Sequence, residues 1–252
     1  MTLYYDHAGI SIHLGDCREV LPTLTESFDL LLADPPYGDT SLDWDVRDVS
    51  WLCLGGLLLK PTASVWCFGS LRMFMAQAEE FKRLCWRIAQ DVVWEKHNGS
   101  GFHADRFKRV HEYAVQFYRE GTPWDDVYKK PITTPDATAR TVRRKRRPPH
   151  MGHIEAGAYE SHDGGPRLMT SVIYCPSCHG YAEHETQKPV GILAPLIEYS
   201  CPPGGVVLDP TMGVGSTLVA AKSLGRRAVG IEVNERYAEA AVKRLRQEVL
   251  PL

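Results

Sequence analysis

Phe28-Asp29-Leu30-Leu31-Leu32-Ala33-Asp34-Pro35-Pro36-Tyr37 is the stretch whose reading decides the fold. Its first six residues form a short, continuous apolar run without helical spacing, the pattern of a buried strand. Two prolines then end it, because neither can donate to a ladder and each fixes φ near −65°. A rigid, extended tetrapeptide therefore stands at the carboxyl end of a sheet, the edge where open α/β sheets bind ligands. A carboxylate, two stiff carbonyls and an aromatic ring are presented together there. In isolation, an ordinary proline-rich turn reads the same way.

Working outward, Ile10 to Leu14 alternates like a strand and closes on Gly15-Asp16, and Cys17 to Leu24 reads as a short helix broken at Pro22. Beyond Tyr37 comes an acidic loop, Gly38 to Asp48, then helical spacing over Val49 to Leu59. Ala63 to Phe68 reads as a strand, Leu71 to Leu84 as an amphipathic helix, and Ile88 to Trp94 and Glu112 to Tyr118 as two successive strands. A polar loop, Glu95 to Arg109, separates the last two. Strand–helix alternation ending in two strands predicts a mostly parallel α/β sheet with one antiparallel strand.

Periodicity stops at Gly121 and resumes near Thr170. Within this gap lies Arg143-Arg144-Lys145-Arg146-Arg147, flanked by Trp124, Tyr128 and Tyr159. Five adjacent cations suit a phosphate-binding arm and suit a solvated insertion as well. The chain has 252 residues and a net charge of −2, so it is no polycation, and a nucleic-acid partner would have to meet a local patch. Seven scattered cysteines, an odd number, point to a reducing compartment rather than a disulfide framework. No signal peptide or membrane-length apolar stretch is visible, so a cytoplasmic protein without a membrane partner is expected.

Further on, Thr186-Gln187-Lys188-Pro189 precedes a helix from Val190 to Tyr199. Val206 to Leu208 is a short strand running into Asp209-Pro210-Thr211-Met212-Gly213-Val214-Gly215-Ser216-Thr217, then a helix over Leu218 to Leu224. A strand over Ala228 to Ile231 ends on Glu232, and an amphipathic helix spans Glu235 to Val249. Strand, glycine turn, helix, strand, acid is a βαβ nucleotide-binding unit. Gly213 and Gly215 would let the backbone approach a ligand, and Glu232 would accept from a ribose diol. The third glycine of the dinucleotide fingerprint and the lysine of a P-loop are missing, so an adenosyl ligand without pyrophosphate fits better. A purely structural βαβ remains the alternative.

Asp34-Pro35-Pro36-Tyr37, Thr186-Gln187-Lys188-Pro189 and Val207-Leu208-Asp209-Pro210 with Gly213-Val214-Gly215 resemble the motifs of amino-group DNA methyltransferases. The order, catalytic motif before cofactor motif, resembles their circularly permuted beta class. The resemblance implies a Rossmann-like methyltransferase sheet with helices on both faces, S-adenosylmethionine as cofactor and double-stranded DNA as partner, and leaves a homodimer open. It divides the chain into a catalytic half (1–120), a basic target-recognition insertion (121–170) and a cofactor-binding half (171–252). By resemblance, Asp34 and the carbonyl of Pro35 accept from the amino group of a flipped base, Pro36 stiffens the motif and Tyr37 stacks on the base. Glu232 resembles the ribose ligand. Asp209, Gly213, Gly215 and Thr217 line the methionine end, and Lys188 with Thr186 meets the cofactor carboxylate. Asp16 resembles the adenine contact, with capping of the following helix as its competing role. Arg143, Arg144, Lys145, Arg146 and Arg147 fall where the class keeps its DNA contacts.

Two departures stand out: Thr211 replaces a phenylalanine, and Glu185 a frequent proline. The aspartate heading the tetrapeptide favours N6 of adenine over N4 of cytosine within the family. A catalytically silent DNA-binding protein of this fold and a dinucleotide oxidoreductase are the rivals. Cys175-Pro-Ser-Cys178-His179, with His184 nearby, has the spacing of half a zinc site, but no second such pair exists and no metal is expected.

Overall fold

The computed structural model describes residues 2–100, 104–144, 157–180, 182–184 and 186–247, with the side chains of Ser100 and Arg144 left out. The chain divides into two compact units, one formed by residues 1–130 with 171–252 and the other by Pro131–Thr170.

In the first unit the elements in order are β1 (Thr2–His7), β2 (Ile10–Leu14), α1 (Cys17–Val20), β3 (Phe28–Ala33), α2 (Ser50–Leu57), β4 (Leu59–Gly69), α3 (Leu71–Arg83), β5 (Trp86–Ser100) and β6 (Arg109–Arg119). The second unit contributes β7 (Thr133–Thr134), β8 (Arg140–Arg144), β9 (Gly157–Ser161) and β10 (Arg167–Leu168). The first unit then resumes with β11 (Val172–Tyr174), α4 (Val190–Ser200), β12 (Val206–Asp209), α5 (Ser216–Ser223), β13 (Arg227–Glu232) and α6 (Glu235–Arg246).

Nine strands of the first unit form one sheet in the order β1-β2-β13-β12-β3-β4-β6-β5-β11. From β2 to β4 every neighbouring pair is parallel. The expected antiparallel member is β6, which lies between β4 and β5. At the edge β1 pairs antiparallel with β2, an addition the sequence reading missed. Strands β3 and β12 sit centrally and bury Leu30, Leu31, Val207 and Leu208 completely, which is why both read as unbroken apolar runs.

Helix α3 shows how local sequence sets these elements. Its N-cap Ser70 accepts from the Met73 N–H, and Met73, Gln77 and Phe81 bury one stripe at four-residue spacing. Strand β4 begins earlier than expected, at Leu59, and tolerates Pro61 because its register with β3 slips there, from Phe28↔Leu59 to Leu30↔Ser64. Strand β5 also outruns the expected end at Trp94 and continues to Ser100 through polar residues, replacing the first part of the anticipated loop.

The aperiodic segment proves to carry structure. In the second unit β8 pairs antiparallel with β9, and β7 with β10. The expected boundary at Gly121 moves to Pro131, because residues 122–130 are tied to the first unit: Thr122 donates to the Pro61 carbonyl, the Tyr128 N–H to Thr62, and Trp124 packs on Tyr118. Among the described residues, no helix is long and apolar enough to cross a membrane.

Candidate active site

Four parallel strands deliver four carboxylates to one edge. Asp16 follows the end of β2, Glu232 closes β13, Asp209 closes β12 and Asp34 follows β3, in that order across the sheet. The crossover from β12 through α5 runs to β13 on one side, and that from β3 through α2 runs to β4 on the other. Such a divergence of connections marks the crevice where α/β sheets take ligands.

At the β3 end the groups form a closed cluster. Lys188 Nζ donates to Asp34 Oδ2 at 2.5 Å and lies 3.4 Å from Glu112 Oε2. Tyr37 donates its hydroxyl to Asp34 Oδ1 at 2.7 Å and approaches Glu112 Oε2 at 3.2 Å. Lys96 pairs with Glu112 Oε1 from the other side. The Lys188 side chain is 6% exposed, and its ammonium lies over the rings of Tyr37, Phe68 and Trp94 at 5.5, 5.4 and 5.9 Å.

Burial opposes charge on this lysine, yet Asp34 and Glu112 outweigh it and hold its pKa above the ordinary value. Glu112 behaves likewise: burial opposes its ionisation, but Lys188 and Lys96 draw it down to about 2. Burial, with the charges of Asp34 and Glu112 behind it, pushes the Tyr37 hydroxyl well up, so it acts as a neutral donor.

Glu112 and Lys96 escaped the sequence reading. Strand β6 runs antiparallel to β4, so its amino end reaches the edge where the parallel strands finish, and Trp94↔Glu112 register brings Lys96 alongside. The available signal was an acid heading an otherwise apolar strand. Lys188 joins the same cluster. It was assigned to the cofactor carboxylate, and here its ammonium is buried against two protein carboxylates, Asp34 and Glu112.

At the β12 and β13 ends no lysine or arginine answers the acids among the described residues. Burial pushes Asp209 up to about 7 against hydrogen bonds from Thr217 and the Thr211 N–H, and the charges of Asp34 and Glu232 add to it. Burial also raises Glu232, although its carboxylate accepts from the Gly213 and Asn234 N–H groups at 3.0 and 2.8 Å. The Thr211 hydroxyl is buried without a hydrogen-bond partner among the described residues.

The two glycines part company here. Gly213 (φ 53°) has only the His184 ring near the place of a Cβ, at 3.9 Å. Gly215 (φ 72°) would put a Cβ 2.8 Å from Ala241 of α6, so helix packing by itself requires a glycine there.

Asp16 caps α1: its carboxylate accepts from the Arg18 N–H at 2.8 Å and pairs with the Arg18 guanidinium, which lowers its pKa. Its backbone neighbour Gly15 donates to the Glu232 carbonyl at 2.9 Å, so the two acids end adjacent strands. Thr186 is exposed, and its hydroxyl lies 3.1 Å from His184 Nδ1. Arg143 and the backbone of Arg144 belong to β8 in the second unit, whereas Lys145, Arg146, Arg147 and Glu185 lie outside the described residues.

Of the flanking aromatics, Trp124 packs on Tyr118 under Lys129, and Tyr159 is 47% exposed on β9. Cys175 and Cys178 line a cavity of about 380 Å³ with Pro189, Gly191 and Arg244, apart from the four carboxylates. Among the described residues no three His, Cys, Asp or Glu side chains gather as a metal site.

The chain is similar to known proteins. The type II methyltransferase M.HinfI of Haemophilus influenzae is 32% identical over 260 residues, covering 92% of this chain and 67% of its own. The crystal structure of an M1.HpyAVI–SAM complex superposes with a TM-score of 0.65 at 22% identity, over 93% of this chain and 99% of that one. The PvuII DNA methyltransferase, described as cytosine-N4-specific, gives a TM-score of 0.69 at 13% identity, over 99% and 92%. The N6_N4_Mtase family model, described as a DNA methylase, matches residues 28–243, and the chain belongs to that family.

Proposed function

We propose that this DNA methylase transfers a methyl group from S-adenosylmethionine to N6 of adenine in double-stranded DNA. The observation that carries the reading is the Asp34 carboxylate at the sheet's switch point, fixed from both oxygens by Tyr37 and Lys188 and followed by two prolines. An aromatic amine is a poor nucleophile because its lone pair is delocalised into the ring. Asp34 and the Pro35 carbonyl accept its two N–H bonds, which favours a pyramidal nitrogen with an available lone pair. Each Asp34 oxygen keeps acceptor capacity after taking one bond from the protein.

The residues at the β12 and β13 ends fit the cofactor. The unpartnered Thr211 hydroxyl and the raised Asp209 and Glu232 carboxyls suit a ligand carrying hydroxyls and a cationic amine. Glu232 would hold the ribose, Asp209 with Thr217 the methionine end, and Gly213 the turn beside it; Asp16 would face the adenine. When bound, the cofactor supplies an electrophilic methyl on sulfur.

Adenine rests on the aspartate that heads the tetrapeptide, by its resemblance to the family pattern. Incubation with tritiated S-adenosylmethionine and unmethylated plasmid, followed by hydrolysis to nucleosides, should yield N6-methyladenine. N4-methylcytosine would overturn the base assignment, and unlabelled DNA the activity.

Arg143 to Arg147 are assigned to the DNA backbone. Their replacement by serine should reduce the slope of log affinity against log salt by up to about 4.5, at roughly 0.9 per phosphate contact. An unchanged slope would return the run to solvent.

A further inference from the structure

Resting on the assignment of Asp34 to the target amino group, we infer that Glu112 is a positioning residue of this reaction. It sets the orientation of the Asp34 carboxylate through Tyr37 and Lys188. Asp34 receives one bond on each oxygen, from the Tyr37 hydroxyl at 2.7 Å and the Lys188 ammonium at 2.5 Å. Glu112 Oε2 is the group these two donors share, at 3.2 and 3.4 Å. Its other oxygen is held by Lys96, rooted in the neighbouring strand β5.

Asp34 therefore cannot turn without breaking contacts that lead back to Glu112. Because Asp34 comes from β3, Lys188 from the segment before α4 and Glu112 from β6, one carboxylate ties three remote parts of the chain to the reacting group.

The rival role, a base for the proton shed by the methylated amine, conflicts with the chemistry of the site. A carboxylate flanked by two lysines is a weak base, and no step of its own is available to it there. Glu112 acts through other residues.

Steady-state methylation of unmethylated bacterial genomic DNA with tritiated S-adenosylmethionine tests the inference. Glu112→Gln should lower kcat by about 100-fold, the scale of an ångström's misplacement. KM for DNA and calorimetric affinity for S-adenosylmethionine should stay within about threefold. Glu112→Asp should recover part of kcat. In a Tyr37→Phe background the Glu112→Gln loss should shrink, because both changes break one network.

A kcat within about threefold of wild type, or losses that simply multiply, would overturn the inference while leaving the enzyme's activity established. Wild-type protein that labels no DNA would instead overturn the reading beneath it. Should Glu112→Gln fail to fold, Lys96→Gln reports the same network from its rim. A roughly tenfold fall in kcat at constant KM supports the inference, and an unchanged kcat overturns it.

Discussion

The two ends of the sheet edge, proposed to serve catalysis and cofactor binding, handle buried acids in opposite ways. Around Asp34, two carboxylates meet two lysines and the charges cancel inside the protein. Around Asp209 and Glu232, burial raises both acids, and among the described residues the protein answers with N–H and hydroxyl donors only. The first end is electrostatically complete and rigid, as an acceptor for a neutral amine must be. The second leaves its acids without a protein cation among the described residues, which would suit a ligand that brings one. The proposed function would divide along the same line: one end would orient a base, and the other would hold a charged cofactor.

Breaking the first end should have the largest effect. Lys188→Met leaves Asp34 and Glu112 facing each other with Lys96 as their only cation. Removing one partner of a buried charge cluster typically costs about 3–5 kcal/mol, and urea unfolding at pH 7 should show a loss of that order. Methyl transfer should fall with it. A loss below about 1 kcal/mol would mean that the cluster is as loose as a surface pair.

The pH dependence of stability distinguishes the two ends by sign. Glu112 titrates near 4.5 when unfolded and about 2 when folded, so its contribution is present above pH 4.5 and lost as pH falls toward 2. Asp209 moves the other way, from 3.8 to about 7. Between those values the folded state binds the extra proton, so stability declines as pH rises from 3.8 to 7 and stays lower above. At 1.36 kcal/mol per unit the decline is at most about 4 kcal/mol. Asp209→Asn should remove it, so urea midpoints of variant and wild type should diverge progressively from pH 4 to pH 7. A constant difference across that range would erase the contrast between the ends.

The strand ends were legible because parallel buried strands announce themselves. Leu30 to Ala33 and Val206 to Leu208 are unbroken apolar runs, and each stops at an acid followed by proline. Glu232 followed from the βαβ spacing. Glu112 did not, because its partners Tyr37 and Lys188 lie 75 and 76 residues away in sequence and nothing local ties them together.

Edge elements were hidden for another reason. Strand β1 is mostly exposed and polar, and only the Ala8-Gly9 turn, with φ of 51° and 78°, marks the hairpin that attaches it. The short strands of the second unit bury little and so leave no apolar rhythm. Lys188 was legible as functional, but its direction depended on β6, whose antiparallel course the motif could not report.

The cofactor end divides again within its own turn, and two glycines measure the division. Alanine at either position faces a left-handed backbone, costing about 1–2 kcal/mol. At Gly215 the new methyl also meets Ala241 at 2.8 Å, where overpacking adds about 1–3 kcal/mol. At Gly213 it meets only the His184 ring at 3.9 Å. Gly215→Ala should therefore lose clearly more stability in urea than Gly213→Ala. Calorimetric affinity for S-adenosylmethionine should show the reverse order, because the Gly213 N–H also anchors Glu232, the proposed ribose ligand. Equal losses of stability would place both glycines in packing, and the turn would then owe its form to α6 rather than to a ligand.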